Sequence, residues 1–441
     1  MTMRLLGLLP LALSMTVFGC TTSEGEPPLQ DEEVVCSDPG TAGCVVSSEL
    51  KRDTSPAVAP ADLKAAADGN RAFAFDLYQQ LREESGNLFY SPHSISSALA
   101  MTWAGARAQT EQDMAAALHF TLPQAQLHPA FNAIDLALES RGKGAQGSDG
   151  KGFRLTVANA LWGQINFPFE ADFLDVLARN YGAGMHVVDF VEQPTEATDL
   201  INGWVDHRTE GKIKKLLTPQ NIRPNTRLVL TNAIYFNAAW ATPFEPSQTQ
   251  DGPFVTQAGA QVTVPMMHGY LQVPYGEGAG FKAVELPYDG HELSMVLVLP
   301  DNLDAFEQGL DAARVDGVVG ALGTRLVDTK MPRFKFESRF SMVDPLAKLG
   351  MGIAFGFDGE PDFSGINGTG GLAIDEVVHQ AFVGVNEAGT EAAAATAVIV
   401  GETSAPEPAE ISLDRPFVFF IRDIATGAVL FVGRVSDPSP N

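Results

Sequence analysis

The residue types that most often do chemistry are thinly spread in this chain of 441 residues. Its eight histidines are scattered, and no two have the spacing of metal ligands. His291-Glu292 lacks the second histidine one turn on that a helix-borne zinc site requires. There is no G-x-S-x-G elbow, no P-loop and no C-x-x-C, so hydrolase, nucleotide and dithiol chemistry have no motif to stand on. Gly276-Glu-Gly-Ala-Gly280 neither follows a strand nor opens a helix, and reads as a loop rather than a dinucleotide turn. The expectation is a protein that is not an enzyme, with no cofactor, no metal and no small-molecule substrate. Chemistry is done to it rather than by it.

The stretch on which chemistry would be done is Val385 to Pro408, VNEAGTEAAAATAVIVGETSAPEP. It leaves a strand-like Phe382-Val-Gly-Val385, runs through four consecutive alanines and Val398-Ile-Val400, and rejoins a strand at Pro416-Phe-Val-Phe-Phe-Ile421. A connection that long inside a compact domain is uncommon and usually functional. Propensity alone would favour an alanine-rich helix, but Gly389 directly before Thr390 and the strands on both sides favour an extended segment. Were it to enter a sheet, Thr390, Ala392, Ala394, Thr396, Val398 and Val400 would share one face. Each is small or β-branched, and the charged Glu391 falls on the other face.

The elements that must hold this loop can be read from periodicity. Ala65–Arg82 is an amphipathic helix. Asn87–Met101 is a short strand running into a helix capped by Ser91, with Pro92 in its first turn. A further capped helix starts at Thr110. Phe153–Trp162 alternates as a strand, Phe169–Tyr181 and Leu200–Leu217 are helical, and Arg227–Phe236 is a strand apolar on both faces. Strands dominate from Pro253 to Pro300, and another covers Thr329–Phe336, with helices at Ala305–Leu322 and Met342–Leu349. Helices early and strands late, without a βαβ rhythm, indicate an α+β fold. No linker or repeat interrupts residues 61–437, which are expected to form one domain.

An apolar share of 45% allows a sizeable core, while a net charge of -25 with 54 acidic residues excludes nucleic acid as a partner. At the N-terminus, Arg4 precedes an apolar run from Leu5 to Phe18, too short to span a bilayer and suited to a signal peptide over residues 1–19. Val17-Phe-Gly-Cys20 resembles the lipobox of bacterial lipoproteins, which implies acylation of Cys20, a membrane anchor and an exported, cell-envelope location. Thr21 after it implies outer-membrane sorting, and an unlipidated secreted product is the alternative. Residues 20–60, rich in Glu, Ser, Thr and Pro, read as a flexible tether. Within it, VVCSDPGTAGC suggests a local Cys36–Cys44 disulfide, with two free thiols or a metal pair as alternatives.

Taken together, several motifs resemble the serpins. They are Asn87–Met101, Gly105–Phe120, Val157–Trp162, Ile201–Ile213, Leu230–Phe236 with Trp240, Glu285-Leu-Pro-Tyr288, Arg415–Ile421 and, above all, Val385-Asn-Glu-Ala-Gly-Thr-Glu-Ala-Ala-Ala-Ala-Thr396. The similarity is collinear over residues 64 to 437. It implies a metastable fold of three β-sheets and eight or nine helices with an exposed reactive-centre loop, here about residues 386–410. It also implies a monomeric suicide-substrate inhibitor of serine proteases, acting by strand addition, for which serpin loops are a standard example. By this resemblance the hinge is Glu387, Gly389, Thr390, Glu391, Ala392, Ala393, Ala394, Ala395 and Thr396. Ser91, Ser94, Asn232 and His379 form a shutter beneath the opening sheet. Trp240 and Arg333, the latter paired with Glu387, form the breach where the loop first enters. Counting fifteen positions to Gly389 places the scissile bond at Thr403-Ser404, which suggests an elastase-like or subtilisin-like target. Cleavage after Glu402 would indicate a Glu-specific protease, and after Val400 an elastase. From Thr390 to Thr403 an inserted strand reaches roughly 45 Å at ~3.3 Å per residue. A cysteine-protease target and a non-inhibitory surface binding protein are the other readings.

Overall fold

The computed structural model describes residues 33–38, 40–390 and 407–439. In chain order these begin with β1 (Cys44–Val46), α1 (Pro60–Leu81), β2 (Leu88–Tyr90), α2 (Pro92–Trp103), α3 (Ala108–Ala117) and α4 (Gln124–Glu139). Next come β3 (Arg154–Gln164), α5 (Ala171–Tyr181), β4 (Met185–Val188), α6 (Pro194–Arg208) and β5 (Leu228–Ala239). The strand-rich middle holds β6 (Gln250–Val255), β7 (Gln261–Gly278), β8 (Phe281–Pro287) and β9 (Leu293–Pro300), then α7 (Leu303–Gln308) and α8 (Ala312–Gly320). After them follow β10 (Gly323–Pro332), β11 (Phe334–Ser341), the short α9 (Val343–Leu346) and α10 (Ser364–Asn367). The chain closes with β12 (Glu376–Asn386), β13 (Gly389–Thr390), β14 (Ala409–Ser412), β15 (Phe417–Asp423) and β16 (Val429–Val435).

Two sheets organise the α+β fold. One has seven strands in the order β1-β4-β3-β5-β13-β12-β11; the other has nine, running from β14 through β10, β7, β8, β9, β15 and β16 to β2, with β6 paired to β7. The resemblance implied three sheets. Among the described residues the second and third are one, because the 18-residue β7 pairs along its length with β6, β10 and β8 in turn.

Strand β5 shows why the seven-stranded sheet sits at the centre. Every residue from Leu228 to Ala238 is buried, as expected of a largely apolar strand, with Thr231, Asn232 and Asn237 the polar exceptions. On one side Val229 and Ala233 meet the cluster that includes Ala197, Ile201 and Val205 of α6. On the other, Leu230 and Ile234 join the main core shared with Ile95 and Leu99 of α2. Helix α2 starts where expected: Pro92 occupies its first turn and the Ser91 hydroxyl accepts the Ser94 N–H.

Four sequence expectations need correcting. Thr110 does not cap α3, which begins at Ala108; its hydroxyl accepts the Asp362 N–H at 2.9 Å. The helix drawn over Leu200–Leu217 runs instead from Pro194 to Arg208. Glu210 and Gly211, at φ 52° and 75°, cannot continue it. The helix expected at Met342–Leu349 is present but changes type, Val343–Leu346 being α-helical and Ala347 onward a π turn that is kinked at Gly350, φ 110°.

The fourth concerns the tether. Part of residues 20–60 belongs to the folded domain, since β1 adds antiparallel to β4 as Cys44↔Val187, Val45↔His186 and Val46↔Met185. Three residues are too few for periodicity to reveal, and the free edge of β4 supplies the hydrogen-bond partners that make them a strand. Cys36 and Cys44 are disulfide-bonded.

Candidate functional site

The candidate site is the seam between β5 and β12. These strands pair in parallel from Glu376↔Val229 to Ala381↔Ile234, and above that point they part. The gap is filled by β13. After β12 the chain turns at Glu387-Ala388 and comes back, so that Thr390 pairs with Val385 of β12 and Ala238 of β5, antiparallel to both. The first residues of the long loop therefore already lie in the sheet. Gly389 is the residue that makes the turn possible. Its φ is +150°, and a Cβ there would sit 2.2 Å from the Ala238 carbonyl oxygen.

Thr390 is held from both sides. Its hydroxyl shares a 2.8 Å hydrogen bond with Tyr288, and its carbonyl accepts from Ser148 at 2.8 Å. With 1% of its surface exposed, Thr390 occupies a pocket sized for a small side chain. Sequence reasoning did not assign Tyr288 or Ser148 to the site. Tyr288 closes a quoted motif, whereas nothing near Ser148 marks it.

Around the turn lies the breach. The Trp240 indole N–H donates to the Asn386 carbonyl at 2.9 Å, and backbone N–H groups of Trp240 and Phe244 donate to the carbonyls of Ala388 and Glu387. The Trp240 ring stacks on Tyr288 at 4.7 Å. Arg333 grips Glu387 in fork geometry, with Nε at 2.8 and 2.9 Å from the two carboxylate oxygens and Nη2 at 2.5 Å from one. Thr249, also missed by sequence reasoning, donates its hydroxyl to the same carboxylate. Burial alone would raise the Glu387 carboxyl, but the bonds from Arg333 and Thr249 outweigh it and hold the group below the usual range.

Lower down the seam lies the shutter. Registers β3–β5 and β5–β12 place Asn159, Asn232 and His379 side by side across three strands. The Ser91 N–H donates to His379 Nε2 at 3.1 Å, so Nδ1 carries the proton and donates it to Asn232 Oδ1. Asn232 Nδ2 donates to Ser94 Oγ at 2.8 Å and to Asn159 Oδ1 at 2.6 Å. Ser94 Oγ donates in turn to Asn159 Oδ1 at 2.9 Å, and the Ser91 hydroxyl donates to the Leu430 carbonyl at 2.6 Å. His379 is fully buried, which pushes its imidazole down to about 3 and keeps it neutral. Asn159 is the member that sequence reasoning missed. A polar residue in the otherwise apolar alternation of Val157–Leu161 was the available signal.

The structure thus brings together Ser91, Ser94, Asn232 and His379 at one level, and Trp240, Arg333, Glu387, Gly389 and Thr390 at another. Cys20, Glu391, Ala392, Ala393, Ala394, Ala395, Thr396, Thr403 and Ser404 lie outside the described residues. Among the described residues no group of His, Cys, Asp and Glu has the arrangement of a metal site, and no helix is long and apolar enough to cross a membrane.

Comparison with known proteins agrees with this geometry. Residues 68–438 match the family described as Serpin (serine protease inhibitor). An uncharacterized serpin-like protein of Thermococcus kodakarensis is 39% identical over 83% of this chain and 84% of its own. A leukocyte elastase inhibitor of Xenopus tropicalis is 38% identical over 83% of this chain and 97% of its own. Among solved structures, the thermophilic serpin tengpin in its native state superposes with a TM-score of 0.79 at 27% identity, covering 90% of this chain and all of its own. Human thyroxine-binding globulin gives 0.76 at 29% identity over 86% of this chain. With the matched domain spanning nearly all the described residues, the chain belongs to the serpin family of protease inhibitors.

Proposed function

We propose that this serpin is a suicide-substrate inhibitor of a serine endopeptidase, cut near Thr403-Ser404. The observation that carries the reading is the seating of Gly389-Thr390 between β5 and β12, antiparallel to both. Two residues of the strand that would complete the seam are thus in register before any cleavage.

The chemistry begins as ordinary acyl transfer. The protease's serine oxygen attacks the Thr403 carbonyl carbon, the Thr403–Ser404 C–N bond breaks, and the Ser404 amine leaves with the proton delivered by the protease's histidine. Residues 391–403, now an ester at their far end, zip downward from Thr390. Each step replaces β5–β12 pairing with two antiparallel ladders. Small residues at alternate positions let the strand enter without displacing core side chains. The protease is carried along before water can reach the ester.

The bait of Thr after Val-Ile-Val-Gly-Glu fits an elastase-like or subtilisin-like pocket. Residues 1–19 act as a leader and Cys20 as the site of a lipid anchor, holding a monomeric domain at the cell envelope. Incubation with pancreatic elastase and with subtilisin is expected to yield a complex that survives SDS, and a released peptide beginning at Ser404 by mass spectrometry. Clean cleavage with no such complex would assign the chain to the non-inhibitory serpins.

A further inference from the structure

The segment that precedes α1 is built as a strap across one end of the seven-stranded sheet. Strand β1 occupies the edge beyond β4. A second strip, Val34–Cys36, lies on its outer side, with the Val45 N–H donating to the Val34 carbonyl and the Cys36 N–H to the Val45 carbonyl, both at 2.9 Å. From β1 the strap crosses two helices. The Ser48 hydroxyl donates to Asp175 of α5 at 2.5 Å, and the Asp53 N–H donates to the Arg179 carbonyl at 2.9 Å. Arg52 then spreads its guanidinium over α4, with Nε 2.8 Å from Asn132, Nη1 2.6 Å from Glu139 and Nη2 2.5 Å from Asp135.

This path joins parts that the proposed insertion would move apart. In the proposed insertion, opening the seam between β5 and β12 would shift the block β1-β4-β3-β5 relative to β12-β11, its neighbours across the seam. Helix α4, which receives Arg52, packs on α1, and α1 packs on β16 of the other sheet. The strap therefore ties the sliding block to a scaffold that does not belong to it.

What holds the strap's outer strip is the disulfide. Val34 and Val35 are 57% and 63% exposed, so the strip buries little apolar surface, and among the described residues two backbone hydrogen bonds fasten it. The Cys36–Cys44 bond closes it onto β1 and removes the entropy that would let it fray. Without that closure, a three-residue edge strand is marginal.

We propose that residues 34–53 are a redox-releasable brace that slows opening of the seven-stranded sheet. Release is reduction of Cys36–Cys44 by a dithiol. Two electrons and two protons pass to the sulfur pair, the S–S bond breaks, two S–H groups form, and the dithiol closes to its own disulfide. Cys36, only partly buried, is the sulfur open to attack, while Cys44 is 3% exposed. The brace rests on the loop-insertion reading above.

The test compares the folded full chain before and after treatment with dithiothreitol, so that folding without the disulfide is not required. Cys36→Ser serves as a second route to the open form, and Arg52→Ala cuts the tie to α4 with the disulfide intact. Amide hydrogen exchange over Met185–Val188 and the rate at which protease-trapping capacity is lost on warming are both read. Reduction is expected to speed each about tenfold, the effect of ~1.4 kcal/mol on a barrier, and Arg52→Ala to speed the second. Equal exchange, or equal loss of capacity, in the two redox forms overturns the brace. Failure of loop insertion itself shows elsewhere, as no heat stabilisation of the oxidised protein after loop cleavage.

Discussion

The upper and lower ends of the β5–β12 seam solve opposite problems. At the top, the strands are already parted, and the gap is held by β13 and by the Arg333–Glu387 pair, whose arginine is 43% exposed. At the bottom, the strands are closed by a neutral network with His379 and Asn232 at its centre, both 0% exposed. A partly solvated ion pair is cheap to break and rebuild. A buried network costs heavily if any member is left unsatisfied. Under the proposed mechanism, the difference would make the top a place to begin insertion and the bottom a barrier that times it.

The sharpest way to break this contrast is at Thr390. Thr390→Arg puts a long cation where 1% of the residue sees solvent, and the Tyr288 hydroxyl loses its side-chain partner. The variant is expected to be cut by the same proteases while forming no SDS-resistant complex, a change from inhibitor to substrate. Trapping at the wild-type level would show that β13 does not begin the insertion.

At the shutter, Asn232→Ala leaves His379 Nδ1–H buried without an acceptor, a loss of about 1–3 kcal/mol. Urea unfolding should show that loss, and spontaneous loss of inhibitory capacity should quicken. A midpoint unchanged from wild type would mean the network does not hold the seam.

His379 of that network and His128, buried elsewhere against Tyr181, give a pH signature. The His379 proton affinity falls from 6.5 to about 3 on folding, and that of buried His128 from 6.5 to about 4. Between those values the unfolded chain holds more protons, so stability falls as pH drops below 6.5. The slope is at most ~1.4 kcal/mol per pH unit for each histidine. Urea midpoints measured from pH 7 to 4 should follow this, and His379→Gln should flatten the curve. An equally steep curve in that variant would place the titration elsewhere.

The smallest effect is expected at the breach. Arg333→Lys keeps the charge and loses the fork on Glu387, which at this exposure is worth about 0.5–1 kcal/mol. Glu387 holds its charge better folded than unfolded, so its share of stability fades as pH falls through the carboxylate range. A loss as large as that of Asn232→Ala would reverse the contrast between the two ends.

How much of this was legible in the sequence differs along the same seam. Of the expected hinge, Glu387, Gly389 and Thr390 lie among the described residues, and Gly389 before Thr390 was legible as a turn that needs glycine. The family motifs pointed to Ser91, Ser94, Asn232 and His379. Ser148 could not be read with them, since its role comes from loop packing set by distant residues, and Asn159 offered only a polar break in an apolar stretch, its partners being set by strand register. Strand β1 was hidden for the same reason. Cys44-Val-Val46 lies between turn-forming residues, and only the open edge of β4 makes it a strand. The union of the two expected sheets depends on β7 running unbroken for 18 residues and pairing in turn with β6, β10 and β8, which its composition does not announce.

The central claim is that the loop completes the seven-stranded sheet between β5 and β12 once it is cut. The most direct test is to melt the purified protein before and after limited cleavage within residues 391–406. Insertion along the whole seam predicts a melting temperature well above that of the uncut protein, with Thr390→Arg showing no such rise. An identical melting temperature in cut and uncut wild-type protein would contradict it.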